Sequence, residues 1–249
     1  MVILKLPDEI ERARASSQIV AEVLNKLRDR VKPGATTKEL DRFAEEVARK
    51  RGAKPAFKGY RGYPYSLCTS VNEEVVHGMP SERILKEGDI ISLDFGVFYN
   101  GFFGDAAITL PVGKITDVAR KLIEVTEQSL YAGIEQAKKG NRLGDISSSV
   151  QQTVEPPGFS VVRDFVGHGI GRNLHEDPQI PNYGKKGRGI ELKSGMILAI
   201  EPMVNQGSYK VKILEDGWTV VTEDGMLSAH FEHSVAITDN GPEILSKLN

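Results

Sequence analysis

Four stretches of the chain place apolar residues at helical spacing. In the first, Val20, Leu24 and Leu27 recur at intervals of three or four residues, which is the spacing of one helix face. The second begins with Thr36 and Glu39, a pair that can satisfy the first backbone N–H groups of a helix. The sequence therefore predicts four helices, at residues 8–31, 36–52, 116–139 and 143–154.

The remaining apolar runs are shorter and are bounded by glycine, proline or polar residues, which is typical of strands. They lie at residues 65–71, 89–98, 102–110, 196–204, 218–222 and 229–238. No low-complexity segment or flexible linker separates these runs. We therefore expect a single domain over residues 1–249.

The chain also contains a weak internal repeat. EGDIISLDFG aligns with SGMILAIEPM, which places Asp94 opposite Glu201. The two halves, at approximately residues 8–112 and 115–240, would be related by a pseudo-two-fold axis, and each would deliver an acid to the centre. The predicted fold class is α+β, with two similar helix-helix-strand halves around a central sheet.

Composition excludes several classes of protein. The chain has 249 residues, a formal net charge of -2 and 40% hydrophobic residues, as ordinary globular proteins do. The near-neutral charge argues against a broad nucleic-acid surface, and the single cysteine, Cys68, excludes an internal disulfide. The sequence shows neither a membrane-spanning apolar run nor a signal peptide. We therefore expect a cytoplasmic protein with no nucleic-acid specificity and no membrane association.

Acidic residues inside apolar strands are the main chemical signal. Asp94, Asp105, Glu201 and Glu232 each adjoin a run of apolar residues. A charge buried in a strand is costly unless it is paired or bound to a cation. Any one of these acids could be a solvated or salt-bridged residue at a strand end, but four in similar settings favour a metal site.

His168 could add a neutral imidazole to these acids, because it lies among small residues in Gly167–Gly171. An oxygen-rich set with one imidazole suits Mn, Fe(II), Co or Zn. Four acids exceed the ligands of one catalytic zinc and suit two cations about 3.5–4 Å apart. Such a pair activates water and polarises a carbonyl, so the predicted reaction is hydrolysis.

Two competing interpretations are weaker. The stretch Gly167–Gly171 superficially resembles a dinucleotide-binding loop, but the residues after it do not predict the helix that such a loop requires. Cys68 and His77 could form a nucleophile pair. However, Cys68 lies in an apolar strand, where a cysteine is usually an inert core residue.

Six stretches resemble the type I methionine aminopeptidases, which are metallopeptidases with the pita-bread fold. They are GYRGYPYSLCTSVNEEVVHGMP, GDIISLDFGVFYNGFFGDAAIT, GHGIGRNLHEDPQIPNY, GMILAIEPM, DGWTVVTEDG and HFEHSVAIT. The resemblance covers almost the whole chain. It implies a pita-bread fold around a central antiparallel sheet and two divalent metal ions per chain, which could be Co, Mn, Fe(II) or Zn.

The resemblance also implies how the ligands divide between the two metals. Asp94 would chelate one metal. Asp105 and Glu232 would bridge the two ions. His168 and Glu201 would bind the other metal.

Two further histidines match catalytic residues of the family that bind no metal. His77 matches the residue that contacts the nitrogen of the scissile bond, and His175 the residue that contacts the substrate carbonyl or oxyanion. A metal-bound hydroxide would attack the first peptide carbonyl, and Glu201 would return a proton to the leaving amine. Without the resemblance, His77 could be a turn residue and His175 a loop residue bonded to Glu176 or Asp177.

The resemblance places a pocket for the first substrate residue among mainly apolar side chains. They are Tyr60, Tyr63, Cys68, Leu174 and Trp218, together with His77 and His175. A polarisable thioether gains from such walls. His230 departs from the family, which commonly has glutamine at this position, and its effect on the metal site is left open. His233 should point to the opposite face from Glu232.

The predicted function is removal of the initiator methionine from nascent proteins when the second residue is small. The partners would be N-terminal Met peptides and nascent chains, with the ribosome as a site of encounter, and the chain is expected to be a monomer. One alternative is an X-Pro aminopeptidase or prolidase-like peptidase, although no large N-terminal domain is evident. A different class is a non-catalytic pita-bread binding module, against which the complete ligand set argues.

Overall fold

The computed structural model describes residues 2–248. Within this range the chain forms four helices: α1 (Pro7–Arg28), α2 (Thr37–Lys50), α3 (Asp117–Gln136) and α4 (Leu143–Val154). The strands are β1 (Lys54–Pro55), β2 (Leu67–Val71), β3 (Glu74–Val76), β4 (Ile90–Tyr99), β5 (Phe102–Pro111), β6 (Ser160–Val161), β7 (Gly167–Gly169), β8 (Glu176–Ile180), β9 (Ile197–Ile200), β10 (Met203–Asn205), β11 (Val211–Ile213), β12 (Val220–Thr222), β13 (Ser228–His230), β14 (Glu232–Thr238) and β15 (Gly241–Ile244). A short 3₁₀ helix spans Tyr60–Gly62. No helix in this part of the chain is long and apolar enough to cross a membrane.

The four predicted helices are confirmed, each within a few residues of its expected ends. The Thr36 hydroxyl accepts the Glu39 N–H at 3.2 Å, and the Glu39 carboxylate accepts the Thr36 N–H at 2.8 Å. Asp145 accepts the Arg142 N–H at 2.7 Å at the start of α4. Because these bonds satisfy N–H groups that have no partner within the helix, the capping residues locate the helix starts in the sequence.

Two predicted strands are each divided in two, so the expectation of continuous strands at 196–204 and 229–238 is wrong. Glu201 and Pro202 separate β9 from β10, and proline has no N–H to continue a ladder. Phe231 separates β13 from β14, because its N–H donates to the Pro202 carbonyl at 3.3 Å. Two of the predicted metal ligands therefore lie at these breaks, Glu201 within the first and Glu232 directly after the second.

The sequence pattern also misses the shortest strands. β1, β3, β6, β7, β8, β11 and β15 have only two to five residues, too few for an alternating pattern to be recognised. Trp218 lies before β12 and not within it, since Asp216 accepts the N–H groups of Trp218 and Thr219, both at 2.8 Å, and closes a turn there.

The central sheet is antiparallel and joins strands from both halves of the chain, as the α+β prediction required. Its order is β1-β4-β5-β14-β9-β7-β8, and β2 also pairs with β4 and β15 with β14. Within this sheet, the strands before and after residue 115 meet at one seam, between β5 and β14. There Ala107 is in register with Glu232, and Ala106 with His233.

Helices cover one face of this sheet. Leu93 and Phe95 of β4 belong to one buried apolar cluster with Leu24 and Leu27 of α1. Because side chains alternate along a strand, Asp94 points to the opposite face. Burial of each large apolar side chain contributes about 1.5–3 kcal/mol, and this packing fixes the direction of the acid.

Local backbone features recur in the two proposed halves. Gly34 and Gly140, which precede α2 and α4, each donate their N–H to a later backbone carbonyl at 2.9 Å. Gly88 and Gly195 both adopt the left-handed conformation that favours glycine, with φ of 96° and 93°. These matches support a structural repeat, and the division of one domain into those halves stays a prediction.

Candidate metal centre and active site

Three neighbouring strands bring three of the predicted acidic ligands together. Asp94 on β4 and Glu232 on β14 are both in register with Ala107 of β5, one on each side. Asp105 lies two residues before Ala107 and therefore on the same face of the sheet. The three carboxylates converge because of strand register, although Glu232 is well over a hundred residues from Asp94 and Asp105 in the sequence.

His168 and Glu201 come from β7 and the end of β9. His168 is in register with Ala199, two residues before Glu201. His168 Nε2 lies 3.5 Å from Glu201 Oε1, and His230 Nε2 lies 3.5 Å from Glu201 Oε2. Glu201 thus stands between two imidazoles, and the departure at His230 lies directly beside a predicted ligand.

The centre is buried and short of hydrogen-bond partners. Asp105, His168 and Glu232 keep 4%, 7% and 2% of their surface exposed, and one ligand atom of each lies within 4.8 Å of the others. Within residues 2–248, Asp94 Oδ1, Asp105 Oδ1 and Glu232 Oε1 have no hydrogen-bond partner. Such buried oxygens are costly, and a divalent cation would satisfy them.

Burial shifts the protonation of these acids strongly. It raises the pKa of Asp94 to about 7 and the pKa of Glu201 to about 8. It raises the pKa values of Asp105 and Glu232 well above their usual range, and the neighbouring carboxylates add to this effect. A cation relieves both the desolvation and the repulsion. Four carboxylates with one imidazole therefore fit a hard divalent metal.

His168 is arranged to bind a metal through Nε2. Its Nδ1 lies 2.9 Å from the Gly169 carbonyl, and an Nδ1–H that donates there leaves the lone pair on Nε2. Burial lowers the pKa of His168 to about 3 and keeps the imidazole neutral. Gly169 permits the close packing of the chain, because a Cβ here would lie 2.7 Å from the carbonyl carbon of Asp177.

One cavity of about 140 Å³ contains the predicted ligands, histidines and pocket residues. All the residues to which the sequence assigned a site role line it: Tyr60, Tyr63, Cys68, His77, Asp94, Asp105, His168, Leu174, His175, Glu201, Trp218 and Glu232. Phe57 and Arg61 line it as well. Sequence reasoning missed Arg61, because a single arginine in a glycine-rich turn has no pattern that distinguishes it from a solvated residue.

His175 faces the cavity with one ring nitrogen already engaged. Its Nδ1 lies 3.0 Å from the Tyr60 hydroxyl, and the two rings stack with centroids 5.4 Å apart. This bond is made to Tyr60, which lies outside the loop, whereas the loop-residue alternative expected Glu176 or Asp177 as the partner. Burial, followed by the nearby Arg61 guanidinium, lowers the pKa of His175 to about 4, so the ring is neutral at physiological pH.

His77 is held on an unusual backbone just after β3. Its φ of 60° lies in the left-handed region, which is uncommon outside glycine and is often found at functional sites. The ring meets Trp218 edge-to-face, with centroids 6.4 Å apart. Tyr63 packs against the same indole at 5.2 Å, and its hydroxyl donates to the Gly78 carbonyl at 3.0 Å. Trp218 thus contacts both His77 and Tyr63, and it connects His77 to the aromatic wall of the cavity.

The two competing interpretations do not fit this geometry. The glycine-rich stretch at 167–171 leads into strand β8, whereas a dinucleotide loop leads into a helix. Cys68 is buried, with 4% of its surface exposed, and burial raises the pKa of its thiol well above the usual range. A nucleophilic cysteine needs the thiolate form, so Cys68 serves better as a wall of the cavity.

Known proteins resemble the chain over its full length. Residues 11–239 match metallopeptidase family M24. A methionine aminopeptidase from Clostridium perfringens is 60% identical over 248 residues, which cover 100% of both chains. The crystal structure of methionine aminopeptidase from Thermotoga maritima has a TM-score of 0.98 and 51% identity, and the match covers 100% of both chains.

A more distant structure shares the fold. The prolidase from Pyrococcus furiosus has a TM-score of 0.79 at 24% identity, over 99% of this chain and 66% of that one. The pita-bread fold implied by the sequence is thereby confirmed. The match to a metallopeptidase family also agrees with a metal-binding role for the buried acids. The chain belongs to metallopeptidase family M24 and, within it, to the methionine aminopeptidases, which are exopeptidase hydrolases.

Proposed function

We propose that this enzyme removes the initiator methionine from nascent proteins whose second residue is small, and that it uses two divalent metal ions. One observation carries the proposal: a single cavity combines a buried ligand set, two neutral histidines and an apolar aromatic wall. The expectations of a cytoplasmic monomer that meets nascent chains at the ribosome belong to the same proposal.

Five residues would hold the metals in this proposal. Asp105 and Glu232 would serve both ions, Asp94 would serve one of them, and His168 and Glu201 would serve the other. The metal is one of Co, Mn, Fe(II) or Zn, as the oxygen-rich donor set favours. When bound, these ions polarise the substrate carbonyl and lower the pKa of water.

His175 supplies a hydrogen bond to the negative charge that develops on the carbonyl oxygen. His175 Nδ1 lies 3.0 Å from the Tyr60 hydroxyl, and a hydroxyl that donates there leaves the ring proton on Nε2. Because the pKa of His175 is lowered to about 4, the ring acts as a neutral donor over the physiological range. Donors fixed at the position of developing charge contribute strongly to catalysis.

His77 and Glu201 act at the nitrogen of the scissile bond. Burial lowers the pKa of His77 to about 4, so this ring is also neutral and can hydrogen-bond to the substrate amide. Burial raises the pKa of Glu201 to about 8. That value belongs to the metal-free centre; with metal bound, Glu201 would be an ionised carboxylate, which can accept a proton and return it to the leaving amine.

The cavity wall explains the choice of the first residue. Tyr63, Cys68 and Leu174 are buried and, with Trp218, present apolar and aromatic surface to the substrate. A flexible thioether suits such walls. The nearby acids attract the free α-ammonium group of a chain end, which restricts cleavage to the first peptide bond.

The alternatives receive less support. Similarity to the prolidase is low enough that it shows the fold alone. A non-catalytic module would have no need of the buried acids, three of which have a carboxylate oxygen without a partner among residues 2–248.

The first prediction tests selection of the substrate. Met-Ala-Ser should be cleaved more than about 100-fold faster, as kcat/KM, than Lys-Ala-Ser, because burial of an unpaired ammonium group costs several kcal/mol. Ala-Pro-Ser should be a poor substrate. The measurement is release of the free first amino acid from each peptide by the metal-loaded enzyme. Equal rates for Met-Ala-Ser and Lys-Ala-Ser would contradict the pocket, and preference for Ala-Pro-Ser would favour an X-Pro peptidase.

The second prediction tests the sharing of Asp105. Asp105→Asn should lose both metal ions, because one carboxylate serves both positions, whereas Asp94→Asn should lose mainly one. Elemental analysis after gel filtration measures the stoichiometry. His233→Gln is the control: this residue lies next to Glu232, but its Nδ1 bonds to Ser246 at 2.9 Å on the other face. Two tightly held ions in Asp105→Asn would refute the bridging role.

The third prediction concerns pH. Metal should stabilise the protein more as the pH rises from about 5 to about 9, because protons compete with metal for carboxylates. The pKa values of Asp94 and Glu201, about 7 and 8, are raised by burial. The folded, metal-free protein therefore binds protons more tightly than the unfolded chain does. The stability that these protonated groups contribute is complete below the ordinary pKa of a carboxyl group, and it is lost as the pH rises through 7 and 8.

Thermal unfolding with manganese and with a chelator measures this effect. For a chain of this size, each kcal/mol shifts Tm by roughly 2–4 °C. The difference in Tm between the two samples should widen steadily across the range. A constant difference at every pH would contradict the involvement of buried, protonated carboxyl groups.

The fourth prediction concerns His175. His175→Ala should lower kcat by about 100- to 1,000-fold, the usual cost of one oxyanion donor, while metal content stays at the wild-type level. Steady-state kinetics on Met-Ala-Ser and elemental analysis check the two parts. Near wild-type turnover would exclude the proposed role, and loss of metal would instead identify His175 as a ligand.

A further inference from the structure

A buried ion pair ties the start of the chain to the loop that carries His175. Lys5 Nζ lies 2.5 Å from Glu176 Oε2, and the two side chains keep only 3% and 4% of their surface exposed. Glu176 follows His175 directly in the sequence. The ion pair therefore fixes the first residue of β8, to which His175, the last residue of the loop between β7 and β8, is directly bonded.

The loop is built around the Lys5 side chain. A Cβ at Gly171 would lie 2.9 Å both from Lys5 Nζ and from Glu176 Oε1, so only glycine leaves room for the pair. The other oxygen of Glu176 accepts the Asn173 N–H at 3.1 Å. One carboxylate thus joins the ammonium group to the loop backbone.

Lys5 is itself anchored to the rest of the fold. Its backbone N–H donates to the Gly195 carbonyl at 2.7 Å, just before β9. Its ammonium group donates to the Ile3 carbonyl at 3.1 Å. The pair therefore links the His175 loop to the turn that precedes the strand leading to Glu201.

A second ion pair also connects this loop to the N-terminal region. Arg172 in the same loop pairs with Glu9 of α1, and Glu9 also accepts the Leu6 N–H at 2.9 Å. The Gly171 carbonyl accepts the Phe103 N–H at 2.8 Å. This second pair is more exposed at Arg172, so the buried pair is the stronger restraint.

We propose that Lys5 is a positioning residue for His175, and that it acts through Glu176. The proposal rests on the role of His175 in the proposed function. Removal of the ammonium group leaves a buried carboxylate without its partner, a state that is strongly unfavourable. Glu176 then turns towards water and carries His175 with it. A displacement of about 1 Å at a catalytic group can lower the rate about 100-fold.

The test is a double-mutant cycle between Lys5→Met and His175→Ala. Lys5→Met alone should lower kcat for Met-Ala-Ser by about 10- to 100-fold, with little change in KM or in bound metal. In the His175→Ala background it should cause almost no further loss, because residues that act as a unit are non-additive. Glu176→Gln should behave as Lys5→Met does, and it serves as the second variant if Lys5→Met does not fold.

Arg14→Met is the matched control. It removes another ion pair of the N-terminal region, Arg14 to Glu243 at 2.6 Å, which lies on α1 and β15 away from the cavity. It should leave kcat unchanged. Proteins are compared below their unfolding temperatures and at full metal occupancy, so that lost stability does not imitate lost turnover.

Two results would overturn the proposal. One is an unchanged kcat in folded Lys5→Met or Glu176→Gln. The other is an equal loss of kcat in the wild-type and His175→Ala backgrounds, which would show a general structural effect. If the single variant His175→Ala keeps wild-type turnover, the proposed role of His175 itself is wrong. That outcome is therefore distinguished from a failure of the Lys5 proposal alone.

Discussion

The burial of four carboxylates around one small cavity is the constraint on which the rest of the structure depends. Like charges repel more strongly in a protein interior than in water, and each of these acids also loses its hydration. The sheet holds them in place by alternation: on β4, Leu93 and Phe95 pack against the helices, so Asp94 has no other face to occupy. Core packing therefore maintains an arrangement that electrostatics opposes.

The histidines around the cavity do not neutralise the acids. Burial lowers the pKa values of His77, His168 and His175 to about 4, 3 and 4, and it also lowers the pKa of His230. Among the residues that line the cavity, Arg61 carries the only permanent positive charge. These acids are therefore neutralised by protons or by cations from solution, and the neutral rings remain available as ligands and hydrogen-bond donors.

Much of this arrangement is predictable from local sequence. Capping pairs such as Thr36 and Glu39 mark helix starts because the bonds they make span only three residues. Asp94 is recognisable as a buried acid because its immediate neighbours are apolar. The breaks at Glu201 and Phe231 were not predicted, since the sequence there continues an apolar run while the backbone turns away.

Contacts between residues that are distant in the sequence could not be predicted, for a different reason. The hydrogen bond between Tyr60 and His175 joins residues 115 positions apart, and the ion pair between Lys5 and Glu176 joins residues 171 positions apart. Neither contact follows a periodic pattern, so sequence reasoning did not identify Tyr60 as a partner of His175 and gave Lys5 no role. The resemblance to a family identified His175 and Tyr60 individually, but the contact between them became visible only in three dimensions.

The position of the metal centre at the seam between β5 and β14 affects the stability of the fold. Only two residue pairs are in register there, and the Ser234 hydroxyl adds bonds to the backbone N–H and carbonyl of Asp105, at 3.2 and 2.8 Å. Asp105 and Glu232 lie on opposite sides of this seam and well over a hundred residues apart. A cation bound by both, as we propose, would close a long loop of the chain in the folded state and would stabilise that state through its binding. Metal supply in the cell would thereby govern the lifetime of the folded chain as well as its turnover.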